Sequence, residues 1–135
     1  MRDLVIIRKK DYTVLADCGP LTPESAVAAL CRLGAEPGRH IAILEGMPDL
    51  GPRNQAEHYR VGRIAAENAE ILLAWGLNGR RMVMGAITGG IAEQKSMTFD
   101  DLHALSATLH RMTKPGDTVL FVGSLERFKE LFPED

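Results

Sequence analysis

A few positions in this 135-residue sequence combine a ligand-holding side chain with the end of a chain element. Asp17 closes the apolar run Tyr12-Thr13-Val14-Leu15-Ala16 and precedes the turn Gly19-Pro20. A carboxylate there can accept ribose hydroxyls, or it can accept backbone N–H groups of its own turn. Glu45 follows His40-Ile41-Ala42-Ile43-Leu44 in the same way and faces either solvent or a ligand. Gly123-Ser124 lies between an apolar run and a helix, where N–H groups can receive an oxyanion. His58 follows Glu57, but adjacent helical residues point in different directions, so the two form no acid–base pair. A structural role for His58 therefore stands beside a substrate-side one. His103 and His110 share a helix face at a separation too long for joint metal ligation, and His40 opens a strand without suggesting chemistry.

The motifs that would make a site self-sufficient are missing. The chain has no GxxxxGK[ST], no GxGxxG and no GxSxG elbow. Cys18 and Cys31 lie far apart with no CxxC or Cys/His spacing, so no metal site is expected. Cys31 falls among apolar residues of a helix and reads as a buried, reduced thiol. No residue is expected to be catalytic in the chain alone.

Composition narrows the class. A formal net charge of −2, with 45% hydrophobic and 25% charged residues, is ordinary for a globular protein. Arg8-Lys9-Lys10 and Arg80-Arg81 are short, lie near turns and read as solvated surface, so no nucleic-acid partner is expected. The sequence holds neither an apolar span of about 18 residues nor a signal-peptide core at its start. No membrane contact and a cytoplasmic location are the expectation.

The elements that must position these residues alternate. Leu4–Ile7 and Tyr12–Ala16 read as two neighbouring strands. Thr22 can cap a helix whose first residue is Pro23, with Ala26, Val27, Leu30 and Leu33 on its inner face and Gly34 as a left-handed stop. His40–Leu44, Glu70–Trp75 and Thr118–Val122 have the continuous apolar character of strands buried on both faces. Helices are expected over 54–68, burying Tyr59, Val61, Ile64 and Ala65, and over 78–88 before Gly89-Gly90. A weak strand lies near Gln94–Met97. Thr98 with Asp101 suggests a capping box for a helix carrying Leu102, Leu105, Leu109 and Met112 inward. A last helix runs from Ser124 to Phe132. Such alternation predicts an α/β fold: a doubly wound, mostly parallel sheet with helices on both faces, in one domain over residues 1–135.

The ordered segments resemble a known family. IAILEGMPDLG, followed by a helix with His58 and Val61-Gly62, is similar to the C-terminal domain of Mur ligases. Within that family the likeness is to the ligases that add D-alanyl-D-alanine to UDP-N-acetylmuramoyl-tripeptide. The family pattern is a strand, Gly-Asp-Met, Glu-Leu-Gly and then His-x-x-Val-Gly. Upstream, Arg2, Asp17, Pro23 and Ser25 keep the spacing of the family's Arg and its Asp-Tyr-Asn-Ala-Asn-Pro-x-Ser. PGDTVLFVGS resembles the family's Pro-Gly-Asp, strand, Lys-Gly-Ser.

The resemblance implies a Rossmann-like domain of an enzyme that uses ATP to phosphorylate a carboxylate, which an amine then attacks to form an amide. The P-loop and most magnesium ligands would belong to a central ATPase domain, and the UDP-sugar to an N-terminal one. The C-terminal domain would close over nucleotide and incoming amino acid or dipeptide. Arg2 and Asp17 are then expected at the nucleotide, with Glu45, His58 and Ser124 on the substrate side. ATP and Mg would be bound only in the assembled enzyme.

Polar positions depart from the pattern. Gly19-Pro20-Leu21-Thr22 replaces Tyr-Asn-Ala-Asn, Glu45-Gly46-Met47 replaces Gly-Asp-Met, and Val122 and Leu125 stand where the family has Lys and Arg. A degenerate, stand-alone interaction or regulatory module that kept the fold is the alternative reading.

Overall fold

The computed structural model describes residues 4–133. Six strands form one sheet: β1 (Val5–Arg8), β2 (Thr13–Asp17), β3 (His40–Glu45), β4 (Ile71–Trp75), β5 (Ser96–Phe99) and β6 (Thr118–Val122). Five helices accompany them: α1 (Pro23–Gly34), α2 (Asn54–Asn68), α3 (Gly79–Gly89), α4 (Leu102–Met112) and α5 (Leu125–Leu131). The strand order is β1-β2-β6-β3-β4-β5, with β1 antiparallel to β2 and every other pair parallel. The expected doubly wound α/β architecture is the one observed.

Alternation along the central strands builds two cores, because successive side chains leave a strand on opposite faces. Leu15, Ala42, Leu44, Leu72, Ala74 and Leu120 pack against α1, α2 and α3. Val14, Ile41, Ile43, Ile71, Leu73, Val119 and Phe121 pack against α4, Leu131 and Phe132. Full burial of a leucine such as Leu30 or Leu33 contributes about 1.5–3 kcal/mol before chain entropy is counted.

Helix α1 starts as its sequence predicts. Thr22 Oγ1 accepts the Ser25 N–H at 3.1 Å, and Ser25 Oγ accepts the Thr22 N–H at 3.1 Å, a reciprocal cap with Pro23 in the first turn. Its end differs from expectation. Gly34 is not left-handed, and Ala35 caps the helix with φ −86°. The absence of a Cβ at 34 makes room for the Asn68 side chain at the end of α2. Close approach also explains Gly62 and Gly85, whose added Cβ atoms would strike the carbonyls of Met82 and Tyr59 where α2 crosses α3.

Three further expectations need correction. Thr98 belongs to β5, paired in register with Ala74, so Asp101 alone caps α4 by accepting the His103 N–H at 2.9 Å. Tyr59 and Ile64 are only half-buried, whereas His58 is fully buried. Cys31 is exposed on α1, its position lying outside the inward stripe of Ala26, Ala29, Leu30 and Leu33.

Candidate functional site

All five parallel strands end on one edge of the sheet, and the chain leaves that edge in different directions. After β2, β3 and β4 it enters α1, α2 and α3 on one face, and after β6 it enters α5 on the other. Strand β6 lies between β2 and β3, so connections diverge on both of its sides. Such switch points form the crevices where α/β sheets hold ligands.

The edge brings together Asp17, Glu45 and Ser124 from strands adjacent in space but distant in sequence. Asp17 is 4% exposed. Its Oδ1 accepts the Gly19 N–H at 3.2 Å, and its carbonyl accepts the Gly123 N–H at 3.2 Å. The carboxylate therefore braces its own turn, while its position stays at the β2–β6 crevice. Ser25 braces the same turn from the other side, donating from Oγ to the Pro20 carbonyl at 2.9 Å. Arg2 lies outside the described residues.

Glu45 meets the β6–α5 turn directly. Its Oε1 accepts the Ser124 N–H at 2.9 Å. Gly123 makes room for it, since a Cβ there would crowd both Glu45 Oε1 and the Phe121 ring. The Ser124 hydroxyl in turn accepts the Arg127 N–H at 3.2 Å and caps α5. The N–H expected to receive an oxyanion thus already receives one, from the protein. Helix α5 is anchored by its own Phe128, which packs with Phe121 of β6 and Phe132, the three ring centroids lying 5.1–6.3 Å apart.

His58 is placed inside rather than at the surface. Its Nε2 accepts the Met47 N–H at 2.8 Å, and its Nδ1–H donates to the Asn54 carbonyl at 2.7 Å. Both ring nitrogens are spent on backbone, which defines the neutral Nδ1–H tautomer and fixes the loop after β3 onto α2. His58 brings the loop to the edge without reaching the edge itself.

Gly46 continues the edge toward β4. Its N–H donates to the Trp75 carbonyl at 2.8 Å, and an added Cβ would strike the Leu77 carbonyl. The family's aspartate at this place has no room while the β4–α3 turn is so close. Sequence reasoning missed three nearby residues. Asn54 and Asn78 exchange side-chain amide hydrogen bonds at 2.9 and 3.4 Å, joining the starts of α2 and α3. Trp75, beside Glu45 in register, carries the Arg127 guanidinium 5.8 Å from its ring centroid. Asn78, left-handed at φ 70° between Gly76 and Gly79, was the one visible signal.

The strongest electrostatic feature lies at the opposite edge. Arg39 donates to both Asp117 oxygens at 3.1 and 2.7 Å, and the Lys114 N–H adds a third bond at 2.8 Å. Burial pushes the Asp117 carboxyl up, but the Arg39 and Lys114 bonds and charges together hold it below the usual carboxylate range. Among the described residues, no group of three or more His, Cys, Asp or Glu gathers as a metal site, and no helix is long and apolar enough to cross a membrane.

Comparison with known proteins places this geometry. MurF from Acinetobacter baumannii superposes with a TM-score of 0.77 at 23% identity, over 94% of this chain and 28% of that one. MurF from Thermotoga maritima, a complex with ADP, gives 0.73 at 24% identity over 94% and 29%. A UDP-N-acetylmuramoyl-L-alanyl-D-glutamate–2,6-diaminopimelate ligase gives 0.60 at 16% over 89% and 25%. These identities establish a common fold, and the chain spans under a third of each relative's length. No curated protein sequence matches the chain. The family model for the Mur ligase, glutamate ligase domain, however, matches residues 3–125, the whole sheet with its carboxyl edge, and the chain belongs to that family of Mur ligase C-terminal domains.

Proposed function

We propose that the chain is the closing domain of an ATP-dependent amide ligase of peptidoglycan precursor synthesis, one domain over residues 1–135 that is not catalytic alone. The observation that carries this reading is the carboxyl edge, where Asp17, Ser124 and Glu45 stand at or just past the ends of three adjacent parallel strands of a Mur ligase fold. One relative of this fold, the Thermotoga maritima MurF, is a complex with ADP. By extension Asp17 offers an acceptor to the nucleotide's ribose, with Arg2 on the phosphate side. Glu45 and Ser124 border the incoming amino acid or dipeptide, and His58 steadies the loop between them and α2.

The residues fit a contributing role. The Ser124 N–H is committed to Glu45, and no lysine stands in the β6–α5 turn. ATP, which supplies the activation of a carboxylate, and Mg are assigned to the assembled enzyme, with a central ATPase domain and an N-terminal UDP-sugar domain as partners in the cytoplasm. Closure of this edge over the nucleotide would exclude water and complete the site.

A second reading has its own observation. Glu45 fills an anion position with a carboxylate, while Val122 and Leu125 replace cations, as in a module that kept the frame and lost the ligand. The coding sequence immediately upstream tests the first reading. An in-frame or separately encoded P-loop domain is expected, and a stop codon with no such partner sinks it. Calorimetry tests the second: ADP binding to the chain that Asp17→Ala removes would contradict a purely structural module.

A further inference from the structure

The amino edge of the sheet carries a basic pocket that the family reading does not use. It has a volume of about 540 Å³, within the range of small-molecule sites, and lies between the β1–β2 turn, the end of α4 and the end of α5. Lys9 and Lys10 come from the turn and Lys114 from the α4–β6 loop, with His110 beside them on α4. Leu109, Leu131 and Phe132 form the apolar wall.

Backbone bonds hold the two lysine-bearing loops together. The Gly116 N–H donates to the Asp11 carbonyl at 2.8 Å, and the Thr13 N–H to the Asp117 carbonyl at 3.0 Å. The Lys9 N–H closes the turn on the Tyr12 carbonyl at 2.8 Å. The ammonium groups are therefore presented from a rigid rim.

Among the described residues, the charge there exceeds what the protein uses. Among the described residues, Lys9, Lys10 and Lys114 make no ion pair within 4.0 Å. Asp117, the nearest buried carboxylate, is taken up by Arg39 and the Lys114 N–H. The ends of α4 and α5 each carry about half a negative charge, and Asp11 adds one more, against three ammonium groups. Among the described residues, roughly one positive charge stays unbalanced, on a chain whose net charge is −2.

We propose that this pocket binds a small phosphate ester with an apolar body, at a site separate from the carboxyl edge. Lysines are compact, mobile point charges that suit a tetrahedral dianion, whereas a planar carboxylate is better matched by a guanidinium fork, and no arginine lines the pocket. The apolar wall beside the lysines selects an ester over free phosphate. Because the lysines are at the rim, the same phosphate chemistry on a lipid surface is the rival source.

The test is a titration of the chain with phenyl phosphate, followed by backbone amide NMR shifts, with inorganic phosphate and phosphatidylglycerol vesicles as separate arms. Shifts are expected at Lys9–Tyr12 and His110–Lys114, with phenyl phosphate about fivefold tighter than inorganic phosphate from partial ring burial. The double variant Lys9→Gln/Lys114→Gln, at exposed or half-buried positions, is expected to weaken binding about tenfold while leaving the rest of the spectrum unchanged. Equal affinity in the double variant, shifts at Asp17 and Ser124 instead, or binding to vesicles without binding to phenyl phosphate would each overturn the proposal.

Discussion

Glu45 Oε1 accepts the Ser124 N–H at 2.9 Å, joining residues that are 79 positions apart in sequence across the β3–β6 crevice. Insertion of β6 between β2 and β3 makes the contact possible, and Gly123, lacking a Cβ, admits the carboxylate. The bond sets the chemistry of the edge, because it closes an anion position with the protein's own charge.

Glu45→Ala is expected to destabilise the chain by about 1–2 kcal/mol, since a charge-assisted bond is lost and the half-buried turn regains water only in part. Glu45→Gln keeps an acceptor oxygen and should lose about half as much. Urea unfolding measures both, and the Ser124 amide should exchange with solvent faster in the alanine variant.

His58→Ala is expected to cost roughly 3 kcal/mol, combining a cavity with an unpaired Met47 N–H and Asn54 carbonyl. The effect should appear in thermal unfolding and in faster exchange at Met47. A substrate-contacting histidine would instead leave stability nearly unchanged, so the two roles separate cleanly.

Gly46→Asp restores the residue type of the family motif, yet it should destabilise by about 1–3 kcal/mol, because any Cβ strikes the Leu77 carbonyl. Thermal unfolding of Gly46→Asp and Gly46→Ala checks this. Similar losses in both variants identify the backbone clash, and a loss confined to aspartate identifies charge.

Asp117 sets an acid dependence. Its folded carboxyl lies below its unfolded value, so its contribution is complete above the unfolded range near about pH 4 and disappears as pH falls through the folded value. In that window the unfolded chain binds the extra proton, and stability therefore rises with pH. Unfolding free energies followed from neutral to acid should show this slope in the wild type and a shallower one in Asp117→Asn.

Much of the frame is legible in the sequence, and the interior of the site is not. His40–Glu45 and Thr118–Val122 are continuous apolar runs because both faces of each strand are covered, and Thr22-Pro23 names its helix start through local chemistry. β5 is faint because Ser96–Phe99 is a four-residue edge strand with Thr98 exposed. Gly34 misleads because it answers to Asn68 across two helices and not to its own turn. His58 reads as polar on an amphipathic helix, and only the folded loop shows the Met47 N–H on its Nε2. Of the two readings of Asp17, the structure shows the local one, the bond to Gly19, while the crevice beside it depends on where β6 inserts and is not legible locally.

The central claim is that this edge completes a ligase site by closing over nucleotide. The most direct measurement is phosphate release from ATP by the P-loop domain, supplied in cis or in trans, with UDP-N-acetylmuramoyl-tripeptide and D-alanyl-D-alanine present. Release is expected to require this domain, and Asp17→Ala, which removes one acceptor, is expected to raise the KM for ATP about tenfold. Undiminished release without the domain, or an unchanged KM in a folded Asp17→Ala protein, would contradict it.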